Sequence, residues 1–136
     1  MRLDLELPAE VAAGTPVPML LRLSNDGPAA DLVLQGRPVS FDLVVTSSDG
    51  TEVWRRLAHA VIPAILALRR LGPGESLEWR DSWDQVDDQG HPVPPGEYLI
   101  TGRLPTEPGT HLESPPVRLR LIETGGSATP RRRPPP

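Results

Sequence analysis

The 136-residue chain carries fourteen basic residues, all of them arginine, against eighteen acids, and it has no cysteine. The missing thiols exclude a disulfide framework, a zinc–thiolate site and a cysteine nucleophile, and they permit a reducing compartment without requiring one. Three arginines, Arg131 to Arg133, lie in the C-terminal stretch, so the part before them has a net charge near −7. A body this acidic repels phosphate backbones, and nucleic acid is not an expected partner.

Leu3, Leu5 and Leu7 alternate with Asp4 and Glu6, the period of two that puts the leucines on one face of a half-buried strand ending at Pro8. This start holds no unbroken apolar run, so neither a signal peptide nor a membrane span is expected, and a cytoplasmic location is the default. Val17, Met19, Leu21 and Leu23 keep phase in a second strand that stops at the turn-forming Asn25-Asp26-Gly27-Pro28. Asp31 to Gln35 reads as a short third strand, and after Gly36-Arg37-Pro38 the residues Val39, Phe41, Leu43 and Val45 share a face. Ser47-Ser48-Asp49-Gly50 is a tight hairpin tip in which Gly50 supplies a positive φ. Thr51 to Leu57 pairs back and carries Trp54, whose ring buries roughly 150 to 250 Å² in a core.

Ala58 to Leu71 shows neither clean alternation nor a capped helical start. Loop followed by strand is the preferred reading, because an isolated helix among short strands needs a layer of its own to rest on. Beyond Gly72-Pro73-Gly74, Leu77, Trp79, Asp81 and Trp83 share a face. An acid in phase with two indoles predicts that this face leaves the core partway, with one tryptophan only half covered. An acidic loop then leads through Val93-Pro94-Pro95-Gly96 to Tyr98, Ile100, Gly102 and Leu104 on one face, and Val117, Leu119 and Leu121 form a closing strand. Tyr98, just past Gly96, is placed to bury its ring while its hydroxyl bonds back to upstream backbone, as at the tyrosine corner of Greek-key sandwiches. About eight or nine short strands, with turns roughly every 8 to 12 residues, predict an all-β, Ig-like antiparallel β-sandwich of Greek-key type over residues 1–123. Residues 124–136, without an aliphatic or aromatic core former, read as a disordered Pro/Arg-rich tail.

Catalytic chemistry finds little support. His59, His91 and His111 stand far apart without ligand-spaced neighbours. Asp84, Asp87 and Asp88 before Gly90 lack the acid spacing and closing glutamate of a calcium loop. No Gly-x-Ser-x-Gly elbow exists, and no glycine loop leads into a helix to cradle phosphate. No enzyme activity, metal or cofactor is expected. The tail is either a polyproline ligand with a basic flank, an anion-seeking arm or a solvated extension.

Four blocks stand out in order: Asp49-Gly50-Thr51-Glu52-Val53-Trp54-Arg55, Leu71-Gly72-Pro73-Gly74-Glu75-Ser76, Trp83-Asp84 with Gly90, and Val93-Pro94-Pro95-Gly96-Glu97-Tyr98. In that order and spacing they resemble the BsuPI-type intracellular proteinase inhibitor domain, over about Val17 to Leu104. The resemblance implies an Ig-like sandwich, inactive itself, that binds and blocks an intracellular subtilisin-like serine protease. Trp54, Trp83, Gly96 and Tyr98 are matches of structural type. The chain departs from the family where a polar loop with a Phe-x-Gln feature is usual, since His59 to Leu68 is aliphatic here and contains Pro63.

Occluding a protease cleft takes an extended, rigid segment with apolar side chains for its pockets. Ala60-Val61-Ile62-Pro63-Ala64 is the leading candidate, because it is apolar outside clear strand phase and Pro63 reduces the ordering entropy lost on binding. The plainer reading is that these residues cover an open end of the sandwich. Asp84, Asp87, Asp88 and His91 form a second candidate loop, suited to a hydrogen-bonding rim. The alternative function is an Ig-like protein-interaction or carbohydrate-binding module without inhibitory activity. Trp79 and Trp83 exposed together on a flat face would favour sugar, and both buried would end that reading.

Overall fold

The computed structural model describes residues 1–36, 39–61, 65–106 and 110–123. Among them are eleven strands and no helix: β1 (Arg2–Glu6), β2 (Glu10–Ala12), β3 (Val17–Ser24), β4 (Ala30–Gln35), β5 (Asp42–Ser47), β6 (Glu52–Arg55), β7 (Leu66–Leu71), β8 (Ser76–Trp83), β9 (Gly96–Pro105), β10 (His111–Glu113) and β11 (Val117–Ile122). One antiparallel sheet has the order β1-β3-β8, and the facing sheet the order β2-β11-β9-β5-β6, with β10 also on β9. β4 and β7 form a separate antiparallel pair. The alternating leucines explain why the layers close. Leu3, Leu5, Val17, Met19, Leu21 and Leu23 from the first sheet join Leu43, Val45, Ile100, Leu104, Leu119 and Leu121 from the second in one buried cluster. Each such side chain is worth about 1.5 to 3 kcal/mol when fully buried.

The result is an all-β sandwich, as the turn spacing predicts, with β2 and β10 as short additions at its edges. At Gly102 the sheets approach so closely that a Cβ would strike the Cδ1 of Leu21 opposite, so only glycine fits without a shift. Gly50 takes the expected positive φ, +88°, at the hairpin tip. Ala58 to Leu71 resolves as a turn over 56–59 and, beyond Ile65, strand β7. Residues Ile62, Pro63 and Ala64 and the tail from 124 to 136 lie outside the described residues.

Aromatic rings fix the centre. Trp83 is fully buried, its ring 5.7 Å from Tyr98 in an edge-on arrangement and 6.1 Å from Trp54. The Tyr98 hydroxyl donates to the Pro94 carbonyl at 2.5 Å, the backward bond expected of it, and burial raises its pKa. Trp54, expected as a main core contact, is half-buried and packs on the cluster from its margin. Trp79 is half-covered, with Phe41 at 6.2 Å beside it. The strand expected from Val39 starts only at Asp42, which is buried and whose Oδ1 accepts the Leu43 and Leu57 amides.

One corner positions the candidate site. The β3–β8 ladder ends at Ser24 opposite Ser76, and the β4–β7 ladder begins at Ala30 opposite Leu71, so the second ladder prolongs the first past a break. Asn25 sits in that break, 3% exposed. Its amide nitrogen donates to the carbonyls of Pro28, Leu71 and Gly72, and its Oδ1 accepts the Gly27 amide. Leu34 and Leu71 pin the extension to the core by its inner face.

Candidate functional site

The leading candidate segment leads directly into this extension. Ala60 and Val61 are exposed, Val61 to 93%, and the apolar exposure continues on the far side of residues 62–64 with Ile65, Leu66 at 52% and Leu68 at 70%. The preceding turn is held by backbone bonds from Ala58 to Arg55 and from Ala60 to Leu57, which deliver the chain at a defined point. In β7, Ala67 and Leu71 face inward with Leu34 and Ala30 opposite them, whereas Leu66, Leu68 and Arg70 share the outer face with Gln35, Val33 and Asp31. Arg70 pairs with Asp31 at 3.1 Å, and among the described residues Arg69 has no ion pair.

The acidic loop is built differently. Asp87 Oδ1 accepts the amides of Gln89 and His91, and the His91 amide bond is the main cause that lowers the Asp87 pKa. Asp88 Oδ1 accepts the Arg55 amide, its own amide donates to Val53, and its carbonyl bonds His59 Nε2 at 2.8 Å. Trp83 Nε1 donates to the Val86 carbonyl at the base of the loop. Gln85, 4% exposed and the only non-glycine residue with positive φ among those described, accepts the Gly14 amide and donates to the carbonyls of Ala12 and Thr15. Of the second candidate group, Asp84 and His91 stay exposed, while Asp87 and Asp88 are partly buried and engaged within the fold.

A cleft of about 480 Å³ beside Ala60 is lined by Asp42, Arg55, Arg103 and His111 among others. Its charges answer one another across neighbouring strands. Glu113 binds Arg103 at 2.9 Å, Arg103 stands opposite Asp42 in the β9–β5 ladder, and Asp42 lies 3.6 Å from Arg55. His59 and His91 lie next to the adjacent Asp88 and Asp87, His111 stands by Glu113, and no group of three metal-ligating side chains comes together among the described residues.

Sequence reasoning missed Asn25, Asp42 and Gln85 as buried polar anchors. Asn25 was legible as a turn residue, but nothing local marks a side chain that will meet carbonyls 46 and 47 positions away. The exposed β7 edge had a signal in the run from Ile65 to Leu68, which breaks the inward–outward rule of the other strands.

Comparisons with known proteins set this geometry in context. No curated protein matches the sequence. Among solved structures, the sporulation control protein Spo0M from Bacillus subtilis superimposes with a TM-score of 0.51 at 17% identity, over 88% of this chain and 48% of Spo0M. The chain therefore spans about half of Spo0M, and the likeness is one of fold. The CARDB domain of the PF1109 protein from Pyrococcus furiosus, solved with di-metal ions, gives a TM-score of 0.46 at 16% identity, over 89% of this chain and 86% of that one. The sequence itself matches the family described as BsuPI, intracellular proteinase inhibitor, over residues 5–109. That span runs from within β1 through β9, including the β4–β7 extension and stopping before β10 and β11, and the chain belongs to the BsuPI family of intracellular proteinase inhibitors.

Proposed function

We propose that this domain is a non-catalytic inhibitor that works inside the cell on a subtilisin-like serine protease, occluding the cleft with the apolar segment from Ala60 to Leu68. The observation that carries this reading is the apolar exposure on both sides of residues 62–64: Val61 before them, and Ile65, Leu66 and Leu68 after them. In water these side chains are a cost, and each one buried against a partner contributes about 1.5 to 3 kcal/mol. The flanks of the segment are anchored, by the 56–60 turn on one side and the β4 ladder on the other, which limits the entropy lost on docking.

Sugar stacking has no platform of two indoles among the described residues, since Trp83 is fully buried and Trp79 packs beside Phe41.

The test is a titration of the full chain against a subtilisin-type protease while following peptide hydrolysis. Hydrolysis should fall to a low plateau near equimolar protein, and Ile62→Asp should abolish the effect while leaving the far-UV circular dichroism unchanged. Full hydrolysis at excess wild-type protein would remove inhibition from the reading.

A further inference from the structure

The free edge of β7 offers more than apolar side chains. Gly36 N donates to Ile65 O at 2.8 Å, and the β4–β7 register runs from Ala30 opposite Leu71 to Gln35 opposite Leu66. Hydrogen-bonded and non-bonded pairs alternate along an antiparallel ladder. Ile65, Ala67, Arg69 and Leu71 therefore turn their main-chain groups toward β4, and Leu66, Leu68 and Arg70 turn theirs away from it. No strand pairs with that side of β7 among the described residues.

Proteins normally blunt such an edge with charge, proline, a bulge or short length. The edges formed by β1, β8, β6, β2 and β10 follow that practice. β1 carries Arg2, Asp4 and Glu6 on its outer face, with Arg2 bonded to Asp4 and Glu6 to Arg22. β8 presents Glu78, Arg80 and Asp81. β6 has four residues beside a register shift in β5, and β2 and β10 have three each. β7 has six residues, an unbroken register, no proline, charge only at its Arg69-Arg70 end, and two exposed leucines at positions whose amides point outward.

We infer that β7 binds the target by strand addition: an extended segment of the protease joins β4–β7 as a third strand through main-chain hydrogen bonds to Leu66, Leu68 and Arg70. This deepens the inhibitor reading and rests on it. Strand addition takes affinity from the backbone and selectivity from alternating side chains. The side chains here ask for apolar residues over Leu66 and Leu68 and a carboxylate near Arg69, which like Arg118 has no ion pair among the described residues.

Residue-resolved amide hydrogen exchange on the full chain, alone and with a subtilisin-type protease inactivated at its serine, tests the inference. The amides of Leu66, Leu68 and Arg70 should exchange freely in the chain alone and become protected in the complex, while those of Ala67 and Arg69 are protected in both. Leu68→Pro removes one outward donor on an edge where proline is tolerated, and should weaken binding about tenfold. Leu68→Ser keeps that amide. Strand addition requires it to retain more affinity than the proline variant. A complex that forms with the three amides still exchanging freely overturns strand addition and leaves inhibition standing. Protection that rises with protein concentration in the chain alone makes the occupant a second copy and also overturns it. A wild-type chain that does not bind the protease takes down the inhibitor reading together with this inference.

Discussion

The segment Ala60 to Ala64, which leads into β7, and the loop from Asp84 to Pro95 were both legible as candidate contact regions, and the polar groups of β7 and of the loop have opposite fates. In the loop, Asp87, Asp88, Gln85 and the Trp83 indole spend their hydrogen bonds inside the molecule. In β7, one whole edge of main chain faces outward beside Leu66 and Leu68. An acidic, exposed-looking sequence can thus be a structural brace, while an aliphatic one is left open. The difference follows from whether each polar group finds a partner within the fold, and composition does not show that.

The comparison can be broken at its structural end first. Trp83→Ala should cost about 3 to 5 kcal/mol in chemical denaturation, because it empties the space between Trp54 and Tyr98 and unties Val86. Gln85→Ala should cost about 1 to 3 kcal/mol, since it leaves the Gly14 amide and the Ala12 and Thr15 carbonyls without that partner. Gln85→Gly should recover a part of this loss, as it relieves the positive φ of 60° without restoring the bonds. A loop that tolerates both changes would be no brace.

At the other end, Leu68→Asp should change stability by no more than about 0.5 kcal/mol, because the side chain is 70% exposed. The same variant should lose protease inhibition. A large stability loss with inhibition intact would reverse the two assignments.

The smallest effect concerns the hairpin tip, which belongs to neither region and serves as a reference for a fully exposed turn. The Ser47 hydroxyl, then the Thr51 amide, hold the Asp49 carboxyl down from 3.8 to about 2. A carboxyl with a depressed folded pKa stabilises the fold above its unfolded value, and that contribution fades as pH falls through the folded one. The tip should therefore be intact above about pH 4 and loosen toward pH 2. In an NMR titration Ser47→Ala should move the Asp49 midpoint upward, and an unchanged midpoint would show that the hydroxyl is not its cause.

Most strands were readable because burial on one face of a sheet imposes a period of two. Val17 to Leu23 and Tyr98 to Leu104 obey it without exception. The hairpin tip at Gly50 and the backward bond of Tyr98 were readable because both depend on residues within a few positions of each other. Ala58 to Leu71 was harder, since β7 carries leucines on its exposed outer face as well as Ala67 and Leu71 on its inner one, which hides the period of two.

By itself, then, the sequence determined the all-β class, the family and the inward faces of the long strands, because local periodicity and short-range turn chemistry are written along the chain. Only the tertiary structure decided that Asn25 clasps a ladder break, that Gln85 and Asp42 are buried, and that β7 has a free edge. Each of those depends on partners tens of residues away, and a polar group's need for a partner does not reveal, in one dimension, where the partner will be.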